Sequence, residues 1–126
     1  MSDGLKLISA VLANGASGAL LQIEPTTLIE NERAAYDFVR GHFRSYRELP
    51  TAQTVQEETG IRLPVASESL QYYIDVVYER HEYNEIRERF SSFRDGLTQR
   101  NMEVVASSVA DMSRVLRRRR RGANQA

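Results

Sequence analysis

Helical periodicity interrupted by a proline corner is the feature that most constrains the fold of this chain. In the middle of the sequence, bulky apolar residues recur at spacings of three and four, which is the pattern of one helix face. Pro50 disfavours helical geometry for the residue before it, and Thr51 carries a side-chain oxygen that can cap a following helix. Gly60 is a typical left-handed stop for that second helix. The apolar face before the corner consists of Tyr36, Val39, Phe43 and Tyr46.

The helical pattern continues on both sides of the corner, and it predicts an all-α fold. Residues 1–78 are expected to form a small helical bundle, the head. Within it, an apolar connection around Pro64 is too short and too isolated to make a sheet. The first helix is expected to stop at Asn14 and Gly15. The predicted head helices cover about residues 5–12, 17–23, 32–47 and 51–59.

A long helical stretch follows from Ser67 to about Leu97, and its apolar pattern changes phase in the middle. A stripe that changes phase indicates one helix that serves two different partners. The first stripe is expected to pack on the head, and the second to leave it. The first stripe consists of Leu70, Tyr73, Ile74 and Val77, and the second of Tyr83, Ile86, Phe90, Phe93 and Leu97.

A C-terminal antiparallel helical hairpin is predicted over residues 79–118. Asp95 and Gly96 form a turn signal, and Asn101 is a good N-cap for a last helix. The apolar residues of that helix repeat the heptad spacing, so the two helices are expected to share a narrow apolar seam. Residues 119–126 are predicted to be a basic, disordered linker or tail.

The hairpin carries more apolar residues than one seam between two helices can bury. Because an exposed apolar strip usually marks an oligomer interface, the chain is predicted to self-associate as a dimer or a larger homo-oligomer. The alternative is that the hairpin folds back onto the head as an ordinary core element. The predicted self-association interface consists of Ile86, Phe90, Phe93, Leu97, Val105, Val109, Met112 and Leu116.

Composition and motifs exclude several kinds of chemistry. The 126 residues contain no cysteine, which removes disulfides, thiolate zinc sites and cysteine nucleophiles. No GxxxxGK[ST] loop is present, which excludes ATP hydrolysis by a P-loop, and His42 and His81 are too far apart in sequence to indicate a metal pair. We therefore expect no catalytic residues, no cofactor and no metal, and a protein that is not an enzyme. No segment has the pattern of a membrane span or a signal peptide, so a cytoplasmic location is expected.

The charge of the chain is polarised although its net charge is zero. Residues 1–113 contain eleven Lys and Arg against all seventeen Asp and Glu, whereas residues 114–126 contain six arginines and no acid. Five of these arginines are consecutive, and such a run usually contacts phosphate, so it is a candidate nucleic-acid contact. A solvated linker or an incidental basic end is the alternative. The run consists of Arg117, Arg118, Arg119, Arg120 and Arg121.

The order of these elements and several short motifs resemble the N-terminal domain of DnaB-type replicative helicases, most closely the versions encoded by bacteriophages. The most specific match is the Leu-Pro-Thr-x-x-Thr-Val corner at residues 49–55, which follows an aromatic helix. Weaker matches extend the similarity over most of the chain. They are Leu5-x-x-Ile8-x-x-Val11-Leu12, Leu20-Leu21-x-Ile23, Glu32-Arg33-x-x-Tyr36-x-Phe38-Val39, His42-x-x-x-Tyr46 and Tyr72-Tyr73-Ile74-x-x-Val77.

The resemblance implies a non-catalytic assembly and docking domain that takes part in DNA replication. In that family the hairpins pair domains into dimers, and three dimers form a collar on the hexameric ring that offers a docking surface to primase or loader proteins. The family's motor domain would follow at about the arginine run, where this sequence ends. A helicase fragment or a free-standing collar domain, located in a bacterial host's cytoplasm if phage-encoded, is therefore expected. One alternative is a small phage-type accessory protein that binds DNA weakly and non-specifically through the arginine run, and another is an antagonist that caps a host helicase or primase.

Overall fold

The structure is a computed structural model that describes the backbone of residues 2–124 and the side chains of residues 2–118. Within that range every regular element is helical, which confirms the predicted all-α fold. The bounds of the helices are α1 Asp3–Asn14, α2 Ser17–Gln22, α3 Glu30–Tyr46, α4 Ala52–Thr59, α5 Leu70–Thr98 and α6 Met102–Asn124, with a short 3-10 turn over Pro25–Thr27.

The chain divides into two compact units, and the division lies inside α5. The head is Met1–Glu79 and the hairpin unit is Arg80–Ala126, whereas the sequence placed this division after residue 78. A helix can belong to two units because its backbone hydrogen bonds are satisfied within the helix itself. Its two ends are therefore free to bury different faces.

The core of the head gathers apolar residues from α1 to α4 and from the start of α5. Packing these helical stripes together removes them from water, which is the main driving force for folding. The hydroxyl of Tyr36 lies 3.3 Å from the carbonyl oxygens of both Leu20 and Ile23, so it ties the end of α2 to α3. The fully buried apolar residues are Leu7, Ile8, Val11, Leu20, Ala35, Val39, Val55 and Val77.

The first stripe of α5 packs on the head, as predicted. Tyr73 and Val77 are buried in the head core, and Leu70 and Ile74 pack against it. The Tyr73 hydroxyl also accepts hydrogen bonds from the amide of Ser67 at 3.0 Å and from the next amide at 3.1 Å. The non-helical connection before α5 is thereby fastened to the helix that follows it.

The proline corner between α3 and α4 is confirmed. α3 ends where Arg47 adopts a left-handed conformation with φ 59°. The side-chain oxygen of Thr51 then caps α4 by accepting a hydrogen bond from the amide of Thr54 at 3.2 Å. Gly60, with φ 75°, ends α4 in the left-handed region that favours glycine. These signals act within a few residues, which is why the sequence alone reveals them.

The turn between α5 and α6 lies later than predicted, so the expectation of a turn at Asp95 and Gly96 is wrong. α5 continues through both residues, and the turn contains Arg100 with φ 55°. Asn101 caps α6 as predicted, because its side-chain oxygen accepts a hydrogen bond from the amide of Val104 at 3.3 Å.

Gly96 has a packing role rather than a turn role. A Cβ atom added at Gly96 would lie 3.0 Å from a methyl group of Val104 and 3.1 Å from a methyl group of Val105. It would also lie 3.2 Å from the backbone nitrogen of Val105. Glycine therefore permits the close approach of α5 to the start of α6.

The arginine run continues α6 in the structure. The backbone is helical as far as Asn124, where the sequence placed a disordered tail over residues 119–126. The side chains of these eight residues lie outside the described part of the chain.

Candidate self-association surface

The helices of the hairpin unit run antiparallel, and contacts at three levels show their register. Near the turn, Gly96 approaches Val105. Further along, Nε of Arg89 lies 3.7 Å from Oδ2 of Asp111. Towards the open end, a terminal guanidinium nitrogen of Arg118 donates to Oε2 of Glu85 at 2.7 Å. From one level to the next, the contacting residue on α6 therefore has a higher number as the contacting residue on α5 has a lower one.

The seam between α5 and α6 is narrow and only partly apolar. On α6, the residues turned to α5 are Val105, Ser108 and Val115, each at most 9 % exposed. On α5, the half-buried Ile86 and Phe93 lie on the same helix face as Gly96. A glycine and a serine within the seam let the helices approach closely, but they also reduce the apolar area that the seam can bury.

Two rows of large apolar side chains remain exposed beside this seam. One row lies on α5 and the other on α6, and each repeats every seven residues, which keeps its members on one side of a helix. Between 44 % and 69 % of the surface of each residue is exposed. We call these six residues the apolar face: Tyr83, Phe90 and Leu97 on α5, and Met102, Val109 and Leu116 on α6.

Both rows lie on the same side of the hairpin. A helix advances about 100° per residue, so each row lies roughly 90° from the centre of its own buried stripe. Viewed from the N-terminus of each helix, the two displacements have the same sense. Two antiparallel helices are related by a two-fold axis perpendicular to the plane that contains both helix axes. Rotation about this axis exchanges the helices but does not exchange the two sides of the plane, so rows displaced in the same sense lie on the same side. The rows also meet level by level, with Phe90 opposite Val109 and Leu97 opposite Met102.

The opposite side of the hairpin is polar. It carries the ion pairs Glu85–Arg118 and Arg89–Asp111, and a second contact joins Arg114 to Asp111 at 3.2 Å. Exposed ion pairs of this kind contribute about 0–1 kcal/mol each. These ion pairs therefore add little to the stability of the hairpin, which has one apolar and one charged side.

The eight residues predicted for the interface fall into three environments. Phe90, Leu97, Val109 and Leu116 belong to the apolar face, whereas Ile86, Phe93 and Met112 are half-buried along the seam. Val105 is buried by α5 within one chain. The predicted set lacks Tyr83 and Met102, although both continue the seven-residue repeat of their rows and could have been found from it.

The arginine run is only partly described. The side chains of Arg117 and Arg118 are exposed, and Arg118 is held by Glu85. The side chains of Arg119, Arg120 and Arg121, which complete the predicted nucleic-acid contact, lie outside the described residues.

The described residues contain no group of three or more His, Asp or Glu side chains that could hold a metal ion. Nε2 of His81 lies 2.5 Å from Oε1 of Glu85, one helical turn away. In the same part of the chain, none of the helices is both long and apolar enough to span a membrane.

The comparisons with known proteins return no match: no family model, no curated protein and no solved structure is similar to the chain. The apolar face is therefore the strongest indication of function that the molecule itself offers.

Proposed function

We propose that this chain is a non-catalytic assembly module that self-associates through the apolar face of its hairpin. The observation that carries the proposal is the pair of heptad rows exposed on one side of α5 and α6. A monomer would leave 44–69 % of the surface of each of these six residues in water, although burying apolar surface is favourable.

The size of the apolar face suits a specific interface. Six large side chains at about half exposure present on the order of 500 Å² of apolar surface, since an aromatic side chain alone can bury about 150–250 Å². Two copies would bury about 1,000 Å² together, which reaches the lower limit of specific interfaces. Contiguous apolar patches of this size on a monomer are often functional.

Heptad spacing indicates the geometry of the pair. Two hairpins that meet through their apolar faces form a four-helix arrangement, in which the three levels of each face interdigitate with those of the partner. The charged sides then point outward, which keeps Arg89 and Glu85 in water and leaves their ion pairs intact.

We further propose that this assembly is the collar of a DnaB-like replicative helicase in the cytoplasm of a bacterial host. The resemblance at residues 49–55 and the order of the elements support this assignment. In that role the module would also offer a docking surface to primase or a loader. The nucleic-acid alternative ranks second because it depends on the arginine run alone, whereas self-association is supported by the apolar face on the described residues.

The decisive experiment compares Phe90→Asp with Ser91→Asp in sedimentation velocity over a range of concentrations. Phe90 lies at the middle level of the apolar face, whereas the exposed Ser91 points away from both the face and the seam. Each variant adds the same charge one position apart. Wild type and Ser91→Asp are expected to sediment as a dimer or larger species.

At high ionic strength, where contacts between exposed charges are screened, Phe90→Asp is expected to sediment as a monomer with unchanged helicity. About 100 Å² of exposed apolar surface at Phe90 corresponds to about 2.5 kcal/mol per copy, and the loss is doubled in a symmetric dimer. Allowing for imperfect conversion of area into affinity, the dissociation constant should rise more than about 100-fold. A wild-type chain that stays monomeric at the highest concentration would refute the proposal.

A further inference from the structure

A groove on the head, separate from the hairpin, has features that the fold does not use. It lies between α3 and α4, has a volume of about 790 Å³ and is open to solvent. Its wall contains three aromatic rings, three carboxylates and a glycine, but no lysine or arginine. We call it the α3–α4 groove.

The aromatic rings form a ladder along α3. The ring centroids of Phe38 and His42 are 5.9 Å apart, and those of His42 and Tyr46 are 4.7 Å apart. Tyr46 is 69 % exposed at the end of the helix, so its ring contributes little to the core. Aromatic faces attract cations, and the planar guanidinium of arginine stacks on them better than the ammonium of lysine.

The carboxylates stand around this ladder without cationic partners. Asp37, Glu48 and Glu58 are exposed, and none of them takes part in an ion pair within the described part of the chain. Carboxylates accept paired hydrogen bonds from guanidinium groups, which adds directional selectivity to the attraction of charge. The groove thus combines both features by which proteins recognise arginine.

Gly41 leaves this wall of the groove without a side chain. It lies in the interior of α3, where glycine is less favourable than alanine, and it lines the groove. A Cβ atom added there would meet nothing within 4 Å, so no contact inside the chain requires glycine. The backbone of α3 is therefore accessible to a second molecule at this point.

We propose that the α3–α4 groove binds the arginine run Arg117–Arg121 of another copy of this chain. The run supplies five consecutive guanidinium groups, and the rest of the chain, residues 1–113, carries the opposite excess of charge. This contact extends the proposed assembly function. It depends on that proposal because its partner is a second copy of the chain. It would add a head-to-tail contact to the one between hairpin faces.

The test uses full-length protein in which all five arginines are changed to Gln, so that no internal run competes for the groove. A fluorescent peptide of residues 114–126 is titrated into it, and binding is followed by anisotropy. Saturable one-to-one binding is expected, weakened about 3- to 10-fold by Tyr46→Ala and more strongly by Glu48→Gln combined with Glu58→Gln. A peptide with five lysines in place of the arginines should bind several-fold more weakly.

Matched variants separate the groove from general charge and stability effects. Gly41→Ala should raise the thermal midpoint yet weaken peptide binding, whereas Gly18→Ala should leave binding unchanged. Gly18 is an exposed helical glycine that also has nothing within 4 Å of an added Cβ. Tyr72→Ala combined with Glu68→Gln removes an exposed ring and an exposed carboxylate outside the groove, and it should also leave binding unchanged.

Several results would overturn the proposal. Equal binding to all groove variants, or equal binding of the lysine peptide, would mean that the arginines bind acidic surface in general. Absence of peptide binding, with DNA binding that Arg117–Arg121→Gln abolishes, would assign the run to nucleic acid.

The origin of the bound run is tested in the Phe90→Asp chain, where the hairpin contact is removed. If this chain still associates at low salt, and if adding Tyr46→Ala abolishes that association, the head-to-tail contact is supported. If the Phe90→Asp chain is a strict monomer at low salt, the contact is overturned. Because the peptide titration does not depend on the apolar face, failure of either proposal is recognised separately.

Discussion

Glu32 is the buried group whose replacement should most affect the head. Its carboxylate is fully buried. One oxygen accepts the amide hydrogen of Ile29 at 3.0 Å, at the start of α3. The other accepts the amide hydrogen of Gly4 at 3.0 Å and the hydroxyl hydrogen of Ser2, both at the start of α1. One side chain therefore caps two helices and joins their N-termini, where a negative charge is favourable.

Glu32→Gln keeps the shape of this side chain but changes its chemistry. The new amide nitrogen must face the amide hydrogen of either Gly4 or Ile29, so a donor replaces an acceptor whichever way the group is turned. Each hydrogen bond to a charged group contributes about 1.5–3 kcal/mol, and leaving a buried donor unsatisfied costs about 1–3 kcal/mol. We therefore expect the head to lose about 2–4 kcal/mol of unfolding free energy, a large part of the total for a small domain.

Urea unfolding of the full chain, followed by tyrosine fluorescence, measures this loss. Five of the six tyrosines lie in residues 1–79 and report on the head. The matched control is Glu30→Gln, which neutralises an exposed carboxylate in the same first turn of α3. It should change stability by no more than about 0.5 kcal/mol. If the two variants unfold at the same urea concentration, the carboxylate of Glu32 does not stabilise the head in this way.

Three further substitutions test the local interpretations by urea or thermal unfolding. Thr51→Ala should cost about 1 kcal/mol because it removes the cap of α4, and a loss equal to that of the exposed Gln56→Ala would contradict the cap. Arg100→Gly should raise the stability of the hairpin by about 0.5–1 kcal/mol because it relieves a left-handed conformation; destabilisation would show that the turn is not strained. Gly96→Ala should lower hairpin stability by about 1–3 kcal/mol, because the added methyl group would overpack the contact between α5 and α6. Alanine favours helices more than glycine does, so a rise in melting temperature would refute the close approach.

Local signals predicted much of the helical framework. The cap at Thr51, the left-handed stop at Gly60 and the cap at Asn101 are all borne out. Each of these depends on hydrogen bonds between residues at most four positions apart, so the sequence contains all of the information required. The phase change along α5 also separated its head stripe correctly, because Tyr73 and Val77 lie in the head core.

The packing role of Gly96 and the burial of Glu32 could not be predicted from the sequence. The Asp-Gly pair resembles a turn, but the helix continues through it because glycine is required by the neighbouring helix. Glu32 resembles one of many exposed acids, yet it is buried by contacts that span 28 and 30 residues of sequence. Neither fact has a signature within a short window, since both depend on which helices become neighbours.

For the candidate self-association surface, the sequence and the tertiary structure also determine different features. By itself, the sequence determined that the hairpin helices carry heptad rows of apolar residues and more of them than one seam needs, because periodicity is a property of each helix alone. Only the tertiary structure decided which members are used within the chain, placing Val105 in the seam and Phe90 and Val109 on the apolar face. The physical reason is register: the way in which α5 and α6 are rotated and shifted against each other selects which part of each stripe is buried, and that follows from packing at Gly96 and Ser108 rather than from spacing.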